Sequence, residues 1–121
     1  MAGKAKYLMI ASMDVDAEHE AIFNEVYDKE HIPNLSKVPG VFGVIRCKRE
    51  TLTMNIGGER KTIEIPSEPA YTAIYELESP DVLTSPAWDK AIEEGRWPKE
   101  VRPYTKNRRH VLLKIMDSKS S

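Results

Sequence analysis

Residues 22–33 read Ile22-Phe23-Asn24-Glu25-Val26-Tyr27-Asp28-Lys29-Glu30-His31-Ile32-Pro33. Ile22, Phe23, Val26 and Tyr27 recur at helical spacing, which gives an apolar stripe as wide as a core-facing helix needs. Upstream, Asp14 and Asp16 offer N-caps, and Glu18 and Glu20 place negative charge in the first turn, where the helix dipole favours it. Pro33 disfavours helical geometry at Ile32, so the helix is expected to end close to His31, with at most a further turn over Leu35 to Val38 before Pro39-Gly40.

On either side of this helix the period changes from helix to strand. Tyr7 to Met13 is a short apolar run suited to a central strand. After Gly40 a second strand begins at Val41, with Phe42, Val44 and Arg46 on one face and Val41, Gly43, Ile45 and Cys47 on the other. Alternation continues through Leu52, Met54 and Ile56 to Gly57-Gly58 and resumes at Ile63 and Ile65, a hairpin signal that predicts a ribbon over 51–65. Tyr71 to Leu77 is the third core strand. Ser79-Pro80 and Ser85-Pro86 each read as an N-cap followed by proline at the first helical position. The second of these opens a helix carrying Trp88, Ala91 and Ile92, stopped at Gly95. Residues 96–104 form a loop, and Arg109 to Met116 is the last strand.

The order is β-α-β, an inserted ribbon, then β-α-β. It predicts one α+β domain over residues 1–121, a ferredoxin-like βαββαβ arrangement with a four-stranded antiparallel sheet and both helices on one face. The uncovered sheet face is apolar, so a homodimer is expected to hide it. With 121 residues there is little room for a second domain, and 40% apolar with 31% charged residues is an ordinary composition for a packed chain. Eighteen basic against 19 acidic residues leave a net charge of −1, which argues against a nucleic-acid partner. Lys106-Asn107-Arg108-Arg109-His110 reads as a solvated strand end. Cys47, the only cysteine, excludes an intramolecular disulfide and alternates like a core residue. Met1 to Lys6 lacks the apolar core of a signal peptide and no run is long enough for a membrane span, so a cytoplasmic protein with no membrane partner is expected. The polar tail Asp117 to Ser121 is expected to fray.

Phe23 to Pro33, followed by Val38-Pro39-Gly40-Val41, resembles the signature of the EthD-like group, small proteins of the dimeric α+β barrel superfamily. The first helix of that group reads F-N-x-W-Y-x-x-E-H-I-P before a V-P-G turn. Pro69 to Leu77 is similar to its P-x-Y-x-A-x-Y-E-L strand. Two departures stand out: Val26, where an aromatic residue is usual, and the ribbon at 51–65. The resemblance implies the barrel fold and the dimer. It does not name a reaction, because the superfamily includes lyases, isomerases, cyclases, monooxygenases and proteins without known activity.

Among candidate site residues His31 stands first. Phe23, Tyr27 and His31 lie four apart on one helix face. A histidine at a helix C-terminus, with Asp28 three residues back, favours the imidazolium and is poised for general acid-base chemistry; a histidine capping helix carbonyls is the alternative. Tyr27 can donate to a developing oxyanion or simply fill the core. Phe23, Tyr71 and Tyr75 suit pocket lining or plain core. Arg46 suits either a substrate carboxylate or phenolate anchor or a ribbon-edge salt bridge. Trp97, in a proline-bounded loop, suits a lid or a packing anchor. No compact metal-ligand spacing, phosphate-binding loop or nucleophile motif is present, and no cofactor is expected. The expectation is a cofactor-independent lyase, isomerase or cyclase, with His31 and Tyr27 catalytic, acting by proton transfer on a small aromatic or polyketide-like molecule. The alternative is a non-catalytic small-molecule-binding or accessory dimer.

Overall fold

The computed structural model describes residues 5–117 and residue 119 of the chain. The expectations for Met1 to Lys4 and for Ser118, Ser120 and Ser121 lie outside the described residues.

Strands β1 (Tyr7–Val15), β2 (Val41–Lys48), β5 (Tyr71–Leu77) and β6 (Thr105–Lys114) form one antiparallel sheet in the order β2-β5-β1-β6. Strands β3 (Leu52–Ile56) and β4 (Glu59–Ile63) pair separately as a two-stranded ribbon. This is the ferredoxin-like α+β fold of the dimeric α+β barrel type. Along β5 the side chains alternate: Tyr71, Ala73, Tyr75 and Leu77 are buried beneath the helices, while Thr72, Ile74 and Glu76 turn to the opposite face and stay half-exposed. Helices α1 (Glu20–Val26), α2 (Ile32–Ser36) and α3 (Pro86–Ile92) meet the buried face, with Phe23, Val26 and Leu35 wholly enclosed. On the other face the register sets Ile45, Ile74, Ile10 and Val111 in one row across all four strands. The two edge members of that row are about half exposed, Ile45 at 49% and Val111 at 51%.

Several local expectations change. The first helix does not stop at His31. Tyr27–His31 winds into a π-turn, the N–H of Ile32 reaching back to the Tyr27 carbonyl, and α2 continues straight through Pro33. A proline ring clashes with the carbonyl one α-turn back; the wider turn ahead of Pro33 relieves that clash, so the helix survives. Asp14 lies within β1 and accepts from the Ala70 N–H, and Asp16 makes no side-chain cap. A bulge between Val41 and Gly43 returns Val41 to the face of Val44, where both pack against the core. Cys47 is exposed on the other face and is not a core residue. The last strand begins at Thr105, four residues before Arg109. In the ribbon, Gly57 and Gly58 have φ of 60° and 82°, the left-handed pair that a tight two-residue hairpin requires. No helix among the described residues is long and apolar enough to cross a membrane.

Candidate functional site

A cavity of about 250 Å³ lies between the buried face of the sheet and the two segments 27–31 and 97–102. Met9, Ala11 and Met13 of β1 form its floor. Tyr27, His31, Trp88 and Trp97 form its aromatic walls, Tyr75 adds a phenol from β5, Leu83 and Ile92 add aliphatic surface, and Arg102, Arg108 and His110 complete the lining.

The wall is built by two π-turns, Tyr27–His31 and Trp97–Val101. Such turns are rare and occur often at functional sites, because the extra residue redirects side chains without ending the helix. His31 stacks on Trp97, with ring centroids 4.1 Å apart and planes 14° from parallel. Tyr27 meets both rings edge-on, at 5.2 Å from His31 and 5.1 Å from Trp97. One residue earlier in each segment, Glu30 accepts the Arg96 backbone N–H at 2.9 Å and its Nε–H at 2.6 Å. Those two donors hold the Glu30 carboxyl below the usual carboxylate range. Gly95, with φ of 72°, brings the chain so close that a Cβ there would sit 2.5 Å from Glu30 Oε1.

His31 is 3% exposed, and its Nδ1 has no hydrogen-bond partner among the described residues. Burial pushes the imidazole down to about 4; the Arg102 and Arg108 guanidiniums act in the same direction, and Glu93 opposes them. At neutral pH the ring is therefore uncharged. That corrects the imidazolium expected from a helix C-terminus: the helix runs on past His31, and Asp28 is bonded to Arg46 at 2.8 Å instead. Burial raises the Tyr27 and Tyr75 phenols, so both remain protonated, with their oxygens 3.5 Å apart.

Of the residues singled out from the sequence, Tyr27, His31, Tyr75 and Trp97 meet at the cavity. Trp97 is 2% exposed and serves as wall, not as a loose loop residue. Phe23, Arg46 and Tyr71 do not line it. They gather on the far side of Tyr27 in a crevice too narrow to admit water. There the Arg46 guanidinium lies 4.5 Å from the Tyr27 ring centroid and 5.5 Å from that of Phe23. Arg46 donates to Asp28 at 2.8 Å and to Asn24 at 2.9 Å, so part of its donor fork is engaged by the first helix. Tyr71 donates its hydroxyl to Glu20.

The residues that sequence reasoning missed are Trp88, Arg102, Arg108 and His110. Two of these belong to the basic stretch 106–110, which the sequence suggested was a solvated strand end. The available signal was parity. His110 pairs with Ala11, so it and Arg108 share the face of Met9 and Met13 once β6 is placed beside β1. A bulge set against Met13 leaves Asn107 in the left-handed region at φ 51°, a conformation asparagine tolerates. Its side chain is tied to Asp14 at 3.0 Å and to the Ser67 carbonyl at 2.8 Å.

No protein-family model matches the sequence, and no curated protein matches it. Among solved structures the chain is similar to the haem degrader MhuD of Mycobacterium tuberculosis with two haems bound in its active site. The identity is 11%, over 94% of this chain and 99% of that one, with a TM-score of 0.55. A substituted MhuD with two manganese protoporphyrins per active site gives 12% identity over 95% and 99%, and a TM-score of 0.57. A putative antibiotic biosynthesis monooxygenase from Bacillus cereus gives 16% identity over 97% of each chain, and a TM-score of 0.53. The fold is thus ferredoxin-like α+β, shared with these structures. The expectation of a cofactor-independent lyase, isomerase or cyclase is overturned, because these neighbours are a haem degrader and a monooxygenase. The non-catalytic accessory dimer is not favoured by them either.

Proposed function

We propose that the chain is a monooxygenase-type enzyme acting on a small, planar, electron-rich aromatic molecule. The observation that carries this reading is the cavity itself: stacked and edge-on rings around an uncharged, buried imidazole. The names of its structural neighbours, a haem degrader and an antibiotic biosynthesis monooxygenase, support this class of chemistry. Neutral His31 accepts the hydrogen bond of a substrate hydroxyl or of an activated ring C–H, and Tyr27 donates to the oxygen on which charge develops. For a methylene flanked by aryl groups the balance closes on the substrate alone. The methylene carbon gains one oxygen atom of O2 as a ketone, and its two hydrogens leave with the other atom as water.

Cavity size supports this substrate class over a porphyrin. At about 250 Å³ the space lies just below the roughly 300–1,000 Å³ that drug-sized ligands occupy, which suits two or three fused rings. Within the superfamily, the Phe23-to-Pro33 helix and the Pro69-to-Leu77 strand support an EthD-like affiliation. The half-exposed row Ile45, Ile74, Ile10 and Val111 supports a homodimer closed by packing two such faces together.

Oxygen uptake with anthrone as the probe tests the reading. We expect stoichiometric consumption of O2, one atom of labelled oxygen in the ketone, and loss of most of the rate in His31→Phe. No uptake above the uncatalysed background would refute it, and a haemin titration that instead shows saturable binding with loss of the Soret band would transfer the reading to haem degradation.

A further inference from the structure

We propose that the cavity is built for an aromatic carboxylic acid, whose carboxylate is anchored by Arg108 while its rings lie against Trp97 and Trp88. The inference rests on the reading of this cavity as the substrate site and names the substrate class.

Charge makes the first argument. Among the described residues no aspartate or glutamate lines the cavity, and the only fixed charges there are the guanidiniums of Arg102 and Arg108. They are not equivalent. Arg102 donates to both carboxylate oxygens of Glu93, at 3.2 and 2.6 Å, and to the Ile92 carbonyl, so its charge is balanced and its position fixed. Arg108 has no carboxylate within ion-pair distance among the described residues. Its basic neighbours do: Lys106 reaches Asp16 at 3.1 Å and Arg109 reaches Glu68 at 2.8 Å. Within this stretch, then, the guanidinium at the cavity is the one left for a ligand. One unbalanced positive charge matches a monoanion such as a carboxylate better than a dianionic phosphate. The fork of donors on arginine fits a carboxylate in bidentate fashion.

Backbone geometry makes the second. Arg108 follows the left-handed Asn107 in the β6 bulge, and that bulge is pinned from two sides by Asp14 and the Ser67 carbonyl. Bulges re-aim side chains next to active sites. Here the bulge sets Arg108 on the cavity face and Arg109 on the opposite one, where it is tied to Glu68.

The test uses 3-hydroxy-2-naphthoic acid and its methyl ester as probes, followed by quenching of tryptophan fluorescence. The intact protein should bind the acid at least tenfold more tightly than the ester. Arg108→Gln should weaken binding of the acid roughly ten- to a hundredfold, leave the ester nearly unchanged and so erase the preference. That range corresponds to about 1.4–2.8 kcal/mol at 1.4 kcal/mol per decade. Arg109→Gln, on the other face of the same strand, should keep the preference. Equal binding of acid and ester, no binding of either, or an undiminished preference in Arg108→Gln overturns the proposal. Oxygen uptake is read separately. An acid held through Arg108 but never oxidised would sink the monooxygenase reading and leave the anchor standing. Oxidation of neutral and acidic aromatics alike, indifferent to Arg108→Gln, would do the reverse.

Discussion

Glu30 receives both the backbone N–H and the Nε–H of Arg96, and in each segment the next residue forms the His31–Trp97 stack. Two consecutive residues of the first π-turn region thus hold two consecutive residues at the start of the second. The wall of the cavity is a ladder of one half-buried ion pair and one buried ring pair.

Gly95→Ala tests the ladder at its tightest point. A Cβ at a φ of 72° is strained, and it would sit 2.5 Å from Glu30 Oε1. Displacing Glu30 frees Arg96 and lets Trp97 tilt. We expect a stability loss of about 1 kcal/mol or more, a red shift of tryptophan emission and faster quenching by acrylamide. Glu30→Gln should reproduce the spectral change with a smaller loss of stability. Unchanged emission in both variants would show that Trp97 is held by ring packing alone.

His31 makes stability depend on pH in a definite direction. Its folded value of about 4 lies below the unfolded 6.5, so the unfolded chain binds the extra proton first. Stability from this group is full above about pH 6.5 and is lost as pH falls towards 4. The difference corresponds to roughly 3 kcal/mol at 1.36 kcal/mol per unit. His31→Phe keeps a ring against Trp97 and removes both the titration and the unpartnered Nδ1. Chemical denaturation at pH 7 and pH 4.5 should show the intact protein losing clearly more stability than the variant, with the variant at least as stable at pH 4.5. Parallel pH profiles would mean that His31 is not buried and neutral in solution. An anion seated beside Arg102 and Arg108 should raise the His31 value, seen as proton uptake on binding.

Ile74 stands in the middle of the apolar row on the open sheet face, paired with Ile10 on one side and Ile45 on the other. Ile74→Lys should split a dimer into monomers of 13.8 kDa in sedimentation at micromolar concentration, while the intact chain runs at twice that mass. If the intact chain itself sediments as a well-folded monomer, the face is covered in some other way.

The ribbon presents Leu52, Met54 and Ile56 on one side, each between 43% and 49% exposed, and Thr53 and Thr62 joined at 3.0 Å on the other. A two-stranded ribbon is marginal by itself in water. Its apolar side is therefore expected to lie on the partner subunit. Deleting residues 53–63 should raise the dimer dissociation constant at least tenfold; an unchanged constant would make the ribbon independent of the dimer.

The apolar run of β1, the alternation of β5 and the ribbon, the Ser79 and Ser85 caps and the apolar stripe of α1 were legible because each obeys a local pattern or a local hydrogen bond. Tyr27, His31, Tyr75 and Trp97 were legible as candidates for the same reason. What was not legible depends on register. The β2 bulge shifts Val41 to the core face, and the Asn107 bulge fixes where Arg108 emerges. Neither leaves a mark in a sequence read for simple alternation. Arg46, an arginine between apolar residues, looks unpaired until Asp28 and Asn24, from another element, are brought beside it. The lowered His31 value comes first from burial, with Arg102 and Arg108 beside it, and neither its burial nor these neighbours show in the local sequence.

The π-turn over Tyr27–His31 makes residue count part of the site. The Ile32 N–H bonds to the Tyr27 carbonyl five residues back, the place that the fourth residue on would hold in an unbroken α-helix. Removing Lys29 would therefore let the turn close to about 3.6 residues while α1 and α2 stay in phase, with Phe23, Val26 and Leu35 in their seats. A single-codon deletion would be absorbed by the helix and felt at the cavity wall, where the wide turn presents Glu30 and His31.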